Sequence, residues 1–191
     1  MLDVLGGVAS VDQTKKYLDS FNRPYRQLGK TNLSVSLTGF GCYRVDEQHE
    51  HHRQALQLAI QSGVNLIDTS TNYTDGAAER LVGDVLTQMV DQNMMKRSQV
   101  VVVSKLGYIQ GAVWDDYLTR EEMGEGFKDV IVLENGLAHC IHPDFIQDQL
   151  TKSLERLNLE TLDVFLLHNP EYYLTWAQKK GMRDVVDLYY Q

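Results

Sequence analysis

The chain has 191 residues, enough for one domain with its own core but short of the roughly 250 that a complete (β/α)8 barrel uses. Hydrophobic residues make up 43% and charged residues 23%, and 26 acidic against 18 basic side chains leave a net charge of −8. That balance argues against nonspecific nucleic-acid binding, which needs basic patches facing the phosphates.

Residues 1–24 read as a leader, within which Val11–Phe21 has a weak helical pattern. Met1–Ser10 is apolar but has no basic segment before it, so a signal peptide is not expected. No apolar run is long enough to span a bilayer. Cys42 and Cys140 lie far apart and show no paired zinc or redox spacing. The expectation is a soluble, cytoplasmic protein in a reducing compartment.

Residues 25–191 then follow one alternating pattern. Tyr25–Leu28 and Leu33–Leu37 flank a Gly-Lys-Thr-Asn turn and predict a β-hairpin. Leu37–Cys42 reads as a short strand whose two glycines suggest a close backbone approach. Glu47–Ser62 predicts a helix stopped by Gly63. Val64–Asp68 predicts a strand. Ala78, Leu81, Val82, Val85, Leu86, Met89 and Val90 mark a helix by their i, i+3, i+4, i+7 spacing. Val100–Val103 is a β-branched run of the kind buried on both faces.

Gly107–Ile141 reads as a long functional loop or excursion, with one short strand at Val130–Leu133. Pro143 opens a third helix, with Phe145, Ile146, Gln149, Leu150, Ser153, Leu154 and Leu157 facing inward. Leu162–Leu167 predicts another buried strand, and Trp176–Tyr190 a fourth helix. Strands alternating with amphipathic helices imply a parallel sheet with right-handed crossovers.

In such sheets reactive groups sit at the carboxyl ends of strands. Those ends carry Gly41, Cys42 and Tyr43, then Asp68 and Tyr73, then Lys105, then His168. An acid, a phenol, an ammonium and an imidazole suit carbonyl reduction. The oxyanion left by hydride addition needs a proton, and a phenol with an ordinary pKa near ~10 gives one up more readily beside an ammonium. Asp68 can pair with Lys105, and His168 can bond the carbonyl oxygen.

Against these stand plainer assignments. Asp68 could cap a turn, Tyr73 could be a rim aromatic, and His168 could be a satisfied buried histidine. His49, His51 and His52 at the start of a helix read as a solvated face, and His139, Cys140 and His142 as loop packing, so no metal is expected. Glu121, Glu122 and Glu125 read as solvent-facing. Tyr108, Trp114 and Tyr117 either cover a pocket mouth or pack beneath their loop.

Several motifs, in order, carry a resemblance. Asp68-Thr69-Ser70-Thr71-Asn72-Tyr73 resembles the "DTA..Y" signature of the aldo-keto reductase family, with Ser70 for the usual alanine. Ala78-Glu79-Arg80-Leu81-Val82-Gly83 resembles the segment that follows it. Val102-Val103-Ser104-Lys105 is similar to the strand that presents the family's catalytic lysine, and Asp163–Pro170 to its "DLxLxHxP" strand. Tyr25–Thr31 resembles the N-terminal hairpin of bacterial members.

The resemblance implies a partial (β/α)8 barrel, of about four βα units preceded by a hairpin and truncated at the C-terminus. It implies Tyr73 as proton donor, Lys105 and Asp68 tuning it, and His168 orienting the carbonyl. Gly41, Cys42, Tyr43 and Asp68 match positions near the nicotinamide ribose, and Tyr43 and Asn169 would face a small-molecule carbonyl or alcohol. The implied cofactor is NADP (as NADPH), with NAD the other option, and the family's later strands hold much of it. Four strands alone would leave open barrel edges suited to self-association, so the alternative to an active reductase is a half-barrel that acts as a binding module.

Overall fold

The computed structural model describes residues 4–182. It divides into two compact units, residues 1–104 with 151–166 and residues 105–150 with 167–191. Among the described residues no helix is long and apolar enough to cross a membrane.

The first unit opens with helix α1 (Val11–Asp19), whose N-cap Ser10 accepts from the Gln13 amide. Tyr17 and Leu18 of α1 belong to the core, and the Tyr17 hydroxyl donates to the Ile60 carbonyl. Strands β1 (Tyr25–Gln27) and β2 (Ser34–Ser36) form the predicted antiparallel hairpin. The turn is closed by Asn32 at φ 62°, a left-handed position that asparagine tolerates.

The central sheet runs in the order β3 (Phe40–Gly41), β4 (Leu66–Asp68), β5 (Val101–Leu106) and β9 (Val164–Leu167). β3 pairs parallel with β4, and β4 parallel with β5 in the register Asp68↔Val103. β3 is only two residues long, shorter than the Leu37–Cys42 strand expected from sequence. Helices α2 (Glu50–Gln61) and α3 (Ala77–Asp91) follow β3 and β4. α2 starts three residues later than its apolar pattern suggests, because His49 keeps extended backbone as N-cap.

One face of the sheet buries Ile67 and Val102 against Leu56 and Ile60 of α2 and Leu81, Val85 and Met89 of α3. The other buries Val101 and Val103 with Val35 of the hairpin. The β5 run is therefore buried on both faces, as its β-branched composition predicts.

Helix α5 (Pro143–Leu157) begins on proline, and Phe145, Gln149, Ser153 and Leu157 form a buried stripe at four-residue spacing. β9 differs from expectation. Leu166 and Leu167 are 44% and 46% exposed, not buried. β9 ends the sheet order among the described residues, so its apolar outer half lacks the cover that the run was expected to have.

In the second unit, Gly107–Ile141 is not a bare loop. β6 (Tyr108–Ile109), β8 (Leu137–His139) and β7 (Ile131–Glu134) form an antiparallel sheet in that spatial order. Helix α4 (Ala112–Met123) precedes β7 and ends on Gly124 in the left-handed conformation. Trp114 and Tyr117 pack against each other on α4, with ring centroids 5.5 Å apart. Glu121, Glu122 and Glu125 are exposed, as expected. Helix α6 spans Glu171–Lys179, earlier than the Trp176–Tyr190 helix expected from sequence. The part of that expectation beyond residue 182 lies outside the described residues.

Candidate active site

Asp68 closes strand β4, and the chain turns directly into a 3-10 helix that begins at Tyr73. The turn is built from short polar side chains. The Tyr73 amide donates to the Ser70 carbonyl at 3.2 Å, and Ser70 Oγ donates to Asn72 Oδ1 at 2.6 Å. Thr69 anchors the segment by donating its amide to the Val103 carbonyl at 2.9 Å. Thr69 and Ser70 are buried, so the turn is tucked against the sheet and not held out in solvent.

After Tyr73 the backbone enters the left-handed region three times, at Thr74 (φ 46°), Asp75 (φ 55°) and Gly76 (φ 80°). Glycine fits this region and aspartate tolerates it, so β-branched Thr74 is the residue out of type. Thr74 is held by its hydroxyl, which donates to the Val45 carbonyl at 2.8 Å.

The segment after β3 meets the same turn. The Cys42 amide donates to the Asp68 carbonyl at 2.8 Å, extending the β3–β4 pairing by one bond. The Tyr43 ring stands edge-on to the Tyr73 ring at 5.2 Å, a favourable aromatic geometry. Tyr43 is itself 63% exposed. A Cβ on Gly41 would meet nothing within 4 Å, so that rim is open. The first unit therefore brings together Cys42, Tyr43, Asp68 and Tyr73.

The other predicted residues belong to the second unit. Lys105 is the fifth residue of the six in β5, and His168 follows the last residue of β9. Both are partly buried. The His168 amide donates to the Leu106 carbonyl at 2.6 Å, and its own carbonyl accepts from His139 Nε2 at 2.6 Å. His139 is buried, and that burial pushes its pKa down. It is a satisfied interior histidine, in line with the loop-packing reading of the His139–His142 segment.

From sequence, Tyr108 either covers a pocket mouth or packs beneath its loop. Its ring stands edge-on to the His168 ring at 4.8 Å, and its hydroxyl donates to Asn169 Oδ1 at 3.1 Å. Asn169 sits at φ 50° and donates Nδ2 to Glu171 Oε1 at 2.8 Å. That bond, first among several causes, lowers the Glu171 pKa. Gly107 permits the arrangement. At φ 143° it leaves room where a Cβ would lie 2.4 Å from His139 Nε2 and 2.8 Å from the His168 carbonyl oxygen. Tyr108 carries no motif of its own, so the sequence leaves open which of its two roles it plays.

Two further clusters underlie the first unit. Glu79, with no solvent exposure, accepts from Ser104 Oγ at 2.6 Å and from Arg156 Nε at 2.7 Å. Asp163 accepts from the Ala9 amide at 2.7 Å, the Val102 amide at 2.7 Å and Arg97 Nη2 at 2.9 Å. Both acids lie inside the motifs, and both tie segments distant in sequence together: Glu79 holds Ser104, next to Lys105, to Arg156, and Asp163 holds Ala9, Val102 and Arg97.

A parallel β3-β4-β5-β9 sheet with helices between its strands defines the class: a partial (β/α)8 barrel. Residues 39–189 match the model of the aldo/keto reductase family, and the chain belongs to that family. Solved structures agree on the fold. An aldo-keto reductase from Bacillus halodurans, in its holo form, is 23% identical with a TM-score of 0.56, over 85% of this chain and 47% of that one. A thermostable aldo-keto reductase solved with the inhibitor epalrestat is 21% identical with a TM-score of 0.53, over 83% of this chain and 51% of that one. The chain thus spans about half the length of the solved relatives it matches.

Proposed function

We propose that this chain carries the catalytic residues of an oxidoreductase that reduces aldehydes or ketones with NADPH. The observation that carries the reading is the order of strand ends: Asp68 closes β4, Lys105 comes one residue before the end of β5, and His168 follows β9, all within the family match. NADPH, when bound, supplies the hydride. Tyr73 donates the proton to the new alkoxide, with Lys105 and Asp68 easing loss of the phenolic proton and His168 bonding the carbonyl oxygen. Gly41, Cys42 and Tyr43 border the nicotinamide end, and the open rim at Gly41 and Tyr43 is compatible with a ligand there. Asn169 and Tyr43 line the substrate side.

The test is NADPH oxidation with a small aromatic aldehyde, measured for the chain and for Tyr73→Phe. Loss of a general acid is expected to lower the rate by about 10²–10⁴. Equal rates in the two proteins would sink the assignment of Tyr73.

A second reading rests on Leu166 and Leu167. Two adjacent leucines near half-exposed on the last strand of the sheet order favour association through that edge. Light scattering of the chain and of a Leu166→Lys, Leu167→Lys variant separates the readings. A monomer in both cases removes the association module.

A further inference from the structure

A cluster outside the candidate active site has the chemistry of a metal centre. Asp46, His49 and His52 each offer one ligand atom, and the three atoms lie within 4.8 Å of one another. The spacing arises from how α2 begins. His49 is the N-cap, in extended backbone with no capping bond from its side chain, and His52 lies one turn further on. Asp46 lies one step before, folded back so that its Oδ1 accepts the Gln48 amide at 2.9 Å.

The three groups already orient one another. Asp46 Oδ1 lies 2.6 Å from His49 Nδ1, Asp46 Oδ2 lies 3.6 Å from His52 Nδ1, and the Asp46 amide donates to His52 Nδ1 at 3.2 Å. The His49 and His52 rings are 5.0 Å apart. His51 packs against His52 at 4.3 Å, so a third imidazole borders the pair. Each neighbouring acid has an arginine partner. Glu47 Oε1 accepts from Arg80 at 2.8 Å, and Glu50 lies against Arg53 and Gln54. Asp46 is the carboxylate left facing the two rings.

We infer that Asp46, His49 and His52 form a binding site for a divalent transition-metal ion of the zinc, cobalt or nickel type. Two imidazoles and one carboxylate are a borderline donor set, suited to these ions and poorly to calcium or magnesium, which prefer oxygen. Metal–ligand bonds near ~2.0–2.1 Å place tetrahedral donors about 3.4 Å apart, so the ligand atoms, now within 4.8 Å of one another, would draw toward the ion while the 2.6 Å Asp46–His49 contact gives way to coordination. His49 has more than half of its side chain exposed and is free to turn toward an ion. Water would complete the coordination. The ion would pin the segment after β3 to the first turn of α2. This site does not rest on the reductase reading.

The experiment uses the full chain without a histidine tag, titrated with ZnCl2 by calorimetry and with CoCl2 by visible absorption. Expected are one ion per chain and a Co2+ spectrum of nitrogen and oxygen ligands. His49→Ala and Asp46→Asn should each weaken binding at least about tenfold, while His142→Ala, remote in sequence, should leave it unchanged. Because His49 is exposed, its removal should leave the circular dichroism of the metal-free chain intact. Binding no tighter in the parent chain than in a His49→Ala, His52→Ala double variant overturns the inference. So does equal weakening by His142→Ala, which would mean scattered surface-histidine binding only.

Discussion

Glu79 and Arg156 form an ion pair of 2.7 Å in which the carboxylate has no solvent exposure and the guanidinium side chain keeps 20%. The asymmetry sets the cost of breaking it from either side. Arg156→Met strands a buried charge and is expected to cost about 3–5 kcal/mol, whereas Glu79→Gln leaves an arginine that can rehydrate and should cost less. Urea unfolding of both variants checks the order. A smaller loss for Arg156→Met would show that Ser104 alone holds the carboxylate.

Asp163 makes a parallel case at the other side of the first unit. Its partner Arg97 is 3% exposed, and its two oxygens also take two backbone amides. An asparagine would turn an NH2 toward donors and leave Arg97 uncompensated. Asp163→Asn is expected to destabilise by about 3–5 kcal/mol. A thermal midpoint within error of the parent would contradict this.

Gly83 predicts a reversed sign. In an exposed helix, alanine is better than glycine by about 1 kcal/mol. Here a Cβ would lie 2.4 Å from the Leu157 carbonyl oxygen, a backbone atom that cannot step aside. Gly83→Ala should therefore destabilise by about 1–3 kcal/mol through overpacking of α3 against the end of α5. Chemical denaturation measures it, and a gain in stability would refute the close contact.

The interior thiol and phenol predict alkaline lability. Burial pushes Cys140 from 9.0 up to about 11 and Tyr17 from 10.0 up to about 12. Both folded-state values are raised, so the fold favours the protonated forms. That stability is fully present below about pH 9 and drains away as the pH climbs toward 12. The urea midpoint should hold up to about pH 8 and fall by about pH 10.5, with a shallower fall in Cys140→Ala. Both thiols are buried, Cys42 at 0% and Cys140 at 1% exposed, so a thiol reagent should stay unreactive until the chain unfolds.

Much of the first unit was legible because its helices are one-sided. The apolar stripe of α3 is buried at every expected position except Val90, which is half-buried, and β5 is as buried as its valines suggest. α4 escaped notice for the opposite reason: none of its residues is buried, so it leaves no periodic trace. Of the β6-β8-β7 sheet only β7 shows in sequence, as the Val130–Leu133 run, because β6 and β8, at two and three residues, are too short for alternation to register. Leu162–Leu167 misled because an apolar run reads as covered whether or not cover is present. The strand-end rule offers Asp68, Tyr73, Lys105 and His168 as candidates, and the motif singles out Tyr73 within a turn whose geometry no periodicity encodes. Tyr108 is left open in sequence between pocket cover and loop packing, and His49 and His52 read there as a solvated face, because only the fold shows which groups each one meets.

The backbone that leaves Tyr73 is costly to hold. Two L-residues in a row adopt left-handed angles, β-branched Thr74 at the greater cost and Asp75, whose type tolerates them, at the lesser. Natural selection could remove that burden with one codon change at either place. Doing so would widen the directions in which the phenol can point, exchanging aim for sturdiness. A glycine at position 74 that raises the melting temperature while slowing turnover would be the signature of that exchange.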